Sequence, residues 1–477
     1  VKFFELYKPF FMNITVFGTG YVGLVSGVCL ASTGKKVYCI DKKEEVIDKI
    51  RQGISPIYEP GLEDLLLKHR DKITPTTDAE SSIKDSQVVI IAVGTPFDGT
   101  HIDLSYIRTA ARQIGKVLKE VDHYVVVTVK STVVPGTTQN DVKRIVLEES
   151  GKSEEEIGFC MNPEFLREGN AVKDFNEPDR IVLGVDSERA EAVMRRVYDG
   201  YPDADIMVTN LSSAEMVKYT TNSLLALNIS YANEIARICE TLDGVDSEEV
   251  FSGVFRDKRI SPVIDGKRIT PVITYYLRAG CGFGGSCFPK DVKALASFAK
   301  DQKVDSHLLP GLLAINHTQL EHVFRMGTRK LGRKPESIAI LGTAFKPNTD
   351  DIRESPGIYL AEMALKQGMK VKVHDYQALD NTRDHFGDQV AYFENPLEAV
   401  KDADLVYVAT IWNGYSGISD DQYQAFMKQD ALMLDRRSHF KDRPEQPWRL
   451  RVGVGQEKKI REQRAAKQKV KSGAIAD

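Results

Sequence analysis

The chain has 477 residues, of which 42% are hydrophobic and 28% are charged, and its formal net charge is −4. This length predicts two or three domains and a core large enough to form without disulfide bonds. The charge gives no global reason to expect nucleic acid or an anionic membrane as a partner, and no apolar run is long enough to cross a bilayer.

The six cysteines contain neither a CxxC pair nor the spacing of a zinc site, so we expect no metal centre. Four of them lie in apolar runs, such as Cys39 in Val-Tyr-Cys-Ile, which is typical of buried free thiols. Free thiols favour a reducing compartment and therefore a cytoplasmic location. Residues 1–11 lack the apolar region and cleavage site of a signal peptide, so we interpret them as a leader or an added extension before Met12.

The first part of the chain alternates strand and helix patterns, as parallel α/β domains do. The predicted strands are 14–17, 37–40, 88–92, 124–128 and 181–184. Their apolar runs show little alternation, which favours a parallel sheet covered on both faces.

A glycine-rich motif follows the first predicted strand and opens a helix. It consists of Gly18, Thr19, Gly20, Tyr21, Val22 and Gly23. Its three glycines permit a tight turn, close approach of a pyrophosphate, and close packing of helix on strand. Asp41 ends the next strand, where we expect it to accept hydrogen bonds from ribose hydroxyls and to repel a 2′-phosphate. The motif therefore predicts a dinucleotide site that prefers NAD to NADP.

A long helix and a second α/β segment follow. Residues 212–242 contain no Gly or Pro, and Leu225, Ile229 and Ala232 repeat at helical spacing. The second segment has predicted strands at 338–342, 371–374, 390–393, 405–410 and 432–435. The predicted fold class is α/β, with two Rossmann-like, doubly wound domains joined by a central long-helix domain. Beyond Asp442 the chain is polar and basic, which is typical of a frayed end.

Residues 280–291 concentrate glycines around a cysteine, in the order Gly280-Cys281-Gly282-Phe283-Gly284-Gly285-Ser286-Cys287-Phe288-Pro289-Lys290-Asp291. Pro289 suits the first position of a helix. Cys287 would then precede a helix N-terminus, where the dipole and Lys290 both favour the thiolate. Asp291 lies one helical turn further on. The pattern predicts a nucleophilic cysteine, and the alternative is a glycine-rich turn with an incidental cysteine.

From Met12 to about Arg437 the sequence resembles the UDP-glucose/GDP-mannose dehydrogenase family. The cysteine segment is similar to the family's nucleophile motif, G-F-G-G-S-C-x-x-K-D. Further matching motifs, in the family's order, lie at 94–96, 131–136, 162–169, Lys218 with Asn222, and 345–355. The resemblance implies an NAD domain, a helical dimerisation core and a UDP domain. Our domain boundaries are 12–208, 209–328 and 329–442, flanked by the extension 1–11 and a polar tail 443–477.

The resemblance also implies roles for individual residues. The catalytic set is Cys287, Lys218, Asn222, Asp291, Glu164 and Thr132. Thr95, Thr132, Glu168 and Arg353 match family contacts with NAD, beside Gly18, Gly20, Tyr21, Val22, Gly23 and Asp41. The substrate set is Glu164, Phe165, Leu166, Lys218, Asn222, Arg259, Tyr276, Gly284, Lys346 and Arg437. Arg259 matches an arginine that reaches the substrate across a homodimer.

Two departures weaken part of this assignment. Residues 261–272 are an apparent insertion after Arg259. The chain has Asp435-Arg436-Arg437-Ser438 where the family has Asp-Gly-Arg-Asn. Arg437 is therefore a weaker candidate for a nucleotide contact than the other residues of the substrate set.

The implied reaction is the four-electron oxidation of UDP-glucose to UDP-glucuronate, by two hydride transfers to NAD through a thiohemiacetal and a thioester on Cys287. Lys218 and Asn222 are i,i+4 on one helix and suit an oxyanion at C6. Three alternatives stay open. They are the same reaction on GDP-mannose or a UDP-N-acetylhexosamine, a single-hydride β-hydroxyacid dehydrogenase, and a non-catalytic nucleotide-sugar binding protein.

Overall fold

The computed structural model describes residues 12–435, 439–440, 443–444 and 446–455. The chain divides into two compact units at the bond between Thr221 and Asn222. The predicted extension 1–11 and the candidate Arg437 lie outside the described residues. Among the described residues, no helix has both the length and the apolar character that a bilayer crossing requires.

The first unit is built on one sheet, which has eight strands among the described residues, in the order β3-β2-β1-β4-β5-β6-β7-β8. The strands are β1 Asn13–Phe17, β2 Lys36–Ile40, β3 Ile73–Thr76, β4 Val88–Ile91, β5 Val125–Val129, β6 Ile157–Met161, β7 Ile181–Val185 and β8 Ile206–Thr209. The helices are α1 Tyr21–Ser32, α2 Glu44–Arg51, α3 Leu62–Lys68, α4 Ala79–Lys84, α5 Ser105–Leu118, α6 Arg144–Ser150, α7 Ala171–Asn176 and α8 Glu188–Val197. A π-helical segment, Thr138–Lys143, leads directly into α6.

The first six strands of this sheet have the 3-2-1-4-5-6 order of a dinucleotide-binding fold. Every residue of β4, β5 and β6 is buried, which explains their continuous apolar runs. The five strands predicted from the sequence are present. The sequence pattern did not predict β3, β6 and β8. Strand β7 runs antiparallel to β6, so the sheet is mixed toward this edge rather than fully parallel.

Helix α9, Leu211–Cys239, is 29 residues long and confirms the predicted long helix. It contains the division between the two units, since Lys218 precedes that bond and Asn222 follows it. The two side chains leave the helix one turn apart. Catalytic candidates of both units are therefore attached to one continuous helix.

The second unit contains a sheet of six strands among the described residues, in the order β13-β12-β11-β14-β15-β16, all parallel. The strands are β11 Ser337–Leu341, β12 Lys370–His374, β13 Ala391–Tyr392, β14 Leu405–Val408, β15 Leu432–Asp435 and β16 Arg449–Arg451. The helices are α10 Ser247–Val254, α11 Phe288–Asp301, α12 Leu308–Leu331, α13 Pro356–Lys366, α14 Leu379–Phe386, α15 Pro396–Val400, α16 Asn413–Gly417 and α17 Asp420–Phe426. The order again is 3-2-1-4-5-6, which is the order expected for the second predicted Rossmann-like domain.

The apparent insertion at 261–272 contains a β-hairpin of β9 Val263–Ile264 and β10 Lys267–Arg268. Asp265 and Gly266 form its turn, with φ of 49° and 73°. Positive φ at both central residues is the geometry of a two-residue hairpin loop, and Asp-Gly is a preferred pair for it. The insertion is thus an ordered, exposed ribbon.

The chain beyond Asp442 does not fray where the sequence indicated. Residues 449–451 extend the sheet as β16, paired with β15. Trp448 and Leu450 pack on the core of this unit, and Val452 is buried in it. Gly453 N–H donates to Glu240 at 2.7 Å and Gly455 N–H donates to the Val245 carbonyl at 2.8 Å. The prediction of a frayed end from residue 443 is therefore wrong for residues 446–455, because polar side chains alternate there with apolar ones that the pattern did not reveal.

Two truncations test this segment. Removing residues 456–477 should leave activity and melting temperature largely unchanged, because that stretch has few apolar side chains to bury. Removing residues 446–477 should lower the free energy of unfolding by about 4 kcal/mol, since it also deletes the buried parts of Trp448, Leu450 and Val452. Urea unfolding of both proteins measures the difference. Equal stability of the two truncations would contradict a structural role for β16.

Candidate functional site

The glycine motif forms a tight loop between β1 and α1. Gly18 has a φ of 94°, and an added Cβ would lie 2.8 Å from the Ala92 carbonyl oxygen, so only glycine fits there. A Cβ at Gly20 would meet open space. The N-cap residue of α1 is Gly20, which has no side chain to cap the first turn, so the N–H groups of that turn can bind phosphate oxygens. The loop therefore fits the pyrophosphate of a dinucleotide.

A buried carboxylate holds this loop against the segment that contains Glu168. Glu59, 5% exposed, accepts hydrogen bonds from the Tyr21 hydroxyl and from Gly169 N–H and Ala171 N–H, the last two at 2.7 Å. Burial and the neighbouring Glu59 carboxylate raise the pKa of Tyr21 far above its ordinary value. Tyr21 therefore stays a neutral donor, and the position of Glu168 depends on that of the glycine loop.

Asp41 lies at the end of β2, as the dinucleotide pattern predicted. Its Oδ2 accepts from the Thr19 hydroxyl at 2.7 Å and from Thr19 N–H at 3.2 Å, and its Oδ1 accepts from Lys43 N–H at 3.1 Å. Burial alone would raise the pKa of Asp41, but these donors lower it below its ordinary value. Asp41 is thus an oriented anion at neutral pH.

The loops that follow β4 and β5 are joined to each other. Thr95 Oγ1 donates to the Thr132 carbonyl at 2.8 Å, and Ser131 Oγ donates to the Val93 carbonyl at 2.6 Å. Glu215 of α9, which is fully buried, accepts from Gly136 N–H at 2.5 Å and from Thr138 N–H at 2.8 Å. The loop that contains Thr132 is therefore fixed to α9, one turn before Lys218.

Glu164 and Lys218 form a buried ion pair of 2.7 Å, with side-chain exposures of 6% and 4%. Glu164 Oε2 also accepts from Leu166 N–H at 2.7 Å. Burial alone would raise the pKa of Glu164. The pKa is nevertheless below its ordinary value, because Lys218 attracts the carboxylate and donates a hydrogen bond to it, and because the Leu166 N–H and the charge of Lys130 also stabilise the ionised form. The pair supplies an ionised carboxylate and an ammonium group in a site of low polarity.

Phe165 lies beside this pair. The Lys218 ammonium is 5.7 Å from the centre of its ring, and the Arg180 guanidinium is stacked over the ring at 3.8 Å. Arg180 also donates to Thr221 Oγ1 at 3.4 Å. These contacts fix the orientation of the segment that contains Phe165 and Leu166.

Cys287 immediately precedes α11, which begins at Phe288, so Pro289 occupies the second helical position rather than the first. All six cysteines are free thiols, and five are buried, whereas Cys287 is partly exposed. Ser286 Oγ lies 3.5 Å from Cys287 Sγ, and Asp291 N–H donates to the Cys287 carbonyl at 2.8 Å. A thiol at a helix N-terminus with solvent access has the environment of a nucleophile.

Asp291 lies one turn into α11 and is 1% exposed. Its Oδ2 accepts from Asn222 Nδ2 at 2.6 Å and its Oδ1 accepts from Lys290 Nζ at 2.6 Å. The carboxylate therefore orients the Asn222 amide and is itself balanced by Lys290. The second unit thus brings Cys287, Asn222 and Asp291 to the start of one helix.

The segment 345–354 packs against the cysteine loop. Gly285 N–H donates to the Arg353 carbonyl at 3.0 Å, and a Cβ at Gly284 would lie 2.1 Å from the Glu354 carbonyl oxygen. Arg353 forms an ion pair of 2.7 Å with Asp351, and the Lys346 ammonium lies 5.4 Å from the centre of the Phe345 ring. Gly284 is therefore required for backbone contact between the two segments.

Two further substrate candidates precede the cysteine loop in the sequence. Tyr276 ends a short 3-10 helix and its ring centre is 6.4 Å from that of Phe288. The side chain of Arg259 is 90% exposed and pairs with Asp257 at 2.6 Å. An exposed arginine on the surface of one chain is consistent with a contact made in a second chain, and that contact stays a prediction.

Three consecutive segments match one family. Residues 12–201 match the NAD binding domain of the UDP-glucose/GDP-mannose dehydrogenase family, residues 212–318 its central domain, and residues 339–442 its UDP binding domain. The chain belongs to this family.

Individual relatives cover nearly the whole chain. A UDP-glucose 6-dehydrogenase of Bacillus subtilis is 38% identical over 90% of this chain and 89% of its own length. One of Rhizobium meliloti is 38% identical over 90% of this chain and 96% of its own. The structure of a UDP-glucose dehydrogenase from Pyrobaculum islandicum superposes with a TM-score of 0.81, at 36% identity, over 90% of this chain and 95% of that one.

Sequence reasoning missed several buried polar residues that hold the family motifs in place. Glu59 and Glu215 accept backbone hydrogen bonds from loops distant in sequence. Lys130 lies directly after the fully buried β5, and Asn162 directly after β6. The available signal was a charged or amide residue at the carboxyl end of a buried strand, where ligands bind in α/β sheets.

Proposed function

We propose that this family member is an NAD-dependent UDP-glucose 6-dehydrogenase that oxidises C6 of the sugar to a carboxylate. The observation that supports it most is the partly exposed Cys287 at the N-terminus of α11, beside the buried pair of Asn222 and Asp291. A one-step alcohol dehydrogenase does not require a nucleophilic thiol. An oxidation that continues past the aldehyde can use the thiol to hold the aldehyde as a covalent adduct that loses a second hydride.

The glycine loop, Asp41, Thr95, Thr132 and Glu168 are the residues we assign to NAD. When bound, NAD supplies the hydride acceptor for each of the two oxidations. The N–H groups of α1 would hold its pyrophosphate, and Asp41 would accept hydrogen bonds from its ribose hydroxyls. Arg353, on the segment next to the cysteine loop, is assigned a further contact by resemblance.

Cys287 performs the covalent steps. After the first oxidation its thiolate adds to the C6 aldehyde, which forms a carbon–sulfur bond and a thiohemiacetal. The second oxidation converts this adduct to a thioester. Water then attacks the thioester carbon, the carbon–sulfur bond breaks, and the thiolate is released with the carboxylate product.

Lys218 and Asn222 donate hydrogen bonds to the oxygen that becomes negative at C6 in these steps. Asp291 positions Asn222 through the 2.6 Å hydrogen bond. We assign Glu164 and Thr132 to the water that hydrolyses the thioester, and Phe165, Leu166, Tyr276, Gly284, Lys346 and Arg437 to contacts with the nucleotide sugar. Of the two candidates for accepting the first proton, Lys218 is already protonated as the ammonium partner of Glu164, so we assign this role to water bound to Asp291.

A substrate panel tests the proposed function. UDP-glucose should exceed GDP-mannose and UDP-N-acetylglucosamine in kcat/KM by at least about tenfold, which corresponds to about 1.4 kcal/mol of transition-state discrimination. Two NADH should form for each UDP-glucose, with UDP-glucuronate identified by mass. Comparable kcat/KM on GDP-mannose would contradict the assignment of UDP-glucose as the substrate. Formation of one NADH per substrate would favour a single-hydride hydroxyacid dehydrogenase. Formation of no NADH would favour a nucleotide-sugar binding protein.

Cofactor choice depends on Asp41. We expect NAD to exceed NADP in kcat/KM by at least about tenfold, since the ionised carboxylate repels a 2′-phosphate. Asp41→Asn should narrow that ratio. Asp85→Asn is a matched control, because Asp85 is an exposed carboxylate of the same unit that bonds Lys36 and Asn13. Equal use of both cofactors by the unaltered enzyme would contradict the assignment.

We also propose that the enzyme is a cytoplasmic homodimer. Leu224, Tyr231 and Ile238 recur every seven residues on α9 and are 48%, 50% and 55% exposed. A seven-residue apolar repeat is typical of a helix that packs against another helix. The six free thiols support a reducing compartment.

A further inference from the structure

Lys130 is a buried cation that the proposed mechanism does not use. It follows β5 directly and is 4% exposed. Its ammonium donates to Asn162 Oδ1 at 2.9 Å and to the Tyr198 hydroxyl at 3.3 Å, and it lies 5.6 Å from the centre of the Phe175 ring. All three partners are neutral. A buried charge with only neutral partners is costly unless another charge compensates it.

Lys143, in the same unit, shows the usual arrangement of a buried lysine. Its side chain is 6% exposed and forms ion pairs with Glu154 at 2.8 Å and Asp186 at 3.0 Å. The ion pairs among the described residues give Lys130 no such carboxylate. Stability of the fold therefore explains Lys143 but does not explain Lys130.

The charged neighbour that Lys130 does influence is Glu164. Asn162, whose side chain binds Lys130, lies two residues before Glu164, and its Nδ2 is fixed by the Val182 carbonyl at 2.9 Å. Lys130 and Glu164 attract each other electrostatically. The other titratable groups that face Lys130 are Lys218, Cys160 and Tyr198.

We infer that Lys130 is a positioning residue that acts through Glu164: its buried ammonium, bound to Asn162 two residues before Glu164, holds the Glu164 carboxylate in place beside Lys218. The consequence is a buried array of two cations around one anion, with a net positive charge. Such an array favours the negative charge that develops on the reacting oxygen. The catalytic part of this inference rests on the proposed function, whereas the electrostatic part does not.

The charge of Lys130 has a limited pH range. The pKa of Lys130 is lowered to about 8, mainly by burial, and attraction by the Glu164 carboxylate offsets part of that lowering. The array is therefore complete at neutral pH and loses its second cation as the pH rises through about 8. The pKa of Glu164 is lower in the folded protein than in the unfolded chain. Glu164 therefore stabilises the fold at pH values above its unfolded-state pKa, and this stabilisation is lost as the pH falls through its folded-state pKa.

The experiment compares Lys130→Met with Lys143→Met in the full-length protein. Lys130→Met should keep or raise the melting temperature, because it removes an ion that has neutral partners. Lys143→Met should lower it, because it leaves Asp186 buried without its cation. At pH 7, kcat of Lys130→Met on UDP-glucose should fall at least about tenfold, with KM for NAD unchanged, and Lys143→Met should retain its kcat.

A second readout does not require turnover. On acidification, Lys130→Met should lose stability at a higher pH than the unaltered protein, because the pKa of Glu164 rises when the nearby cation is removed. That shift should vanish when both proteins also have Glu164→Gln. An unchanged acid profile, a shift that persists with Glu164→Gln, or a Lys130→Met protein that is destabilised as much as Lys143→Met would overturn the inference. If the unaltered enzyme does not oxidise UDP-glucose, the proposed function fails while the stability profile still decides the role of Lys130.

Discussion

Cys287→Ala should abolish formation of UDP-glucuronate, with a loss in kcat of at least about 10³-fold, while the protein keeps its fold and its binding of NAD and UDP-glucose. In the proposed mechanism the partly exposed thiol converts the aldehyde into a species that can be oxidised again. Cys287→Ser should accumulate an acyl-enzyme, because an ester is less activated toward hydrolysis than a thioester. Intact-protein mass after incubation with UDP-glucose and NAD detects that adduct.

Cys281→Ala is the matched control, since Cys281 lies in the same glycine-rich segment but is 3% exposed and packs in the core of its unit. It should retain far more activity than Cys287→Ala, with a modest loss of stability from the small cavity. Near-normal formation of UDP-glucuronate by a folded Cys287→Ala enzyme would contradict the thioester mechanism. Equal loss in both variants, with equal loss of melting temperature, would indicate a structural role for the whole segment.

The features that the sequence predicted well are those encoded by local pattern. The glycine motif and Asp41 predicted the β1–α1 loop and its polar partner, because a tight turn and a buried strand each have a distinct local composition. The absence of Gly and Pro predicted α9 in the same way. Cys287, Pro289 and Asp291 predicted the start of α11 to within one residue.

The features that the sequence did not predict depend on contacts between distant residues. β3 and β16 are short and partly polar, and they are strands because a neighbouring strand offers its hydrogen-bonding edge. Glu215 and Lys130 resemble surface residues in the sequence, and only the folded chain shows their burial. The ion pair between Glu164 and Lys218 was not predicted either, since 54 positions separate the two residues and the family motifs gave them separate roles.

Lys218→Met should lower the free energy of unfolding by about 3–5 kcal/mol and kcat by at least about 10²-fold. The stability loss arises because the 2.7 Å ion pair is broken and the Glu164 carboxylate, whose side chain is 6% exposed, loses its cation. Lys84→Met is the control, since Lys84 pairs with Glu80 and Glu120 at the surface of the same unit. Its effect on stability should be far smaller than that of Lys218→Met, because water screens the exposed ion pairs of Lys84.

The pH dependence and a double variant identify the cause of that loss. The stability deficit of Lys218→Met should be full at neutral pH. It should shrink as the pH falls toward the lowered folded-state pKa of Glu164 in the unaltered protein, because the carboxyl group is then protonated in both proteins. Lys218→Met combined with Glu164→Gln should recover most of the stability, because neither charge is then left unpaired. It should recover none of the activity, because both the oxyanion donor and the ionised carboxylate are gone. A deficit that is independent of pH and persists in the double variant would show that Lys218 acts through packing of its aliphatic chain rather than through its pairing with Glu164.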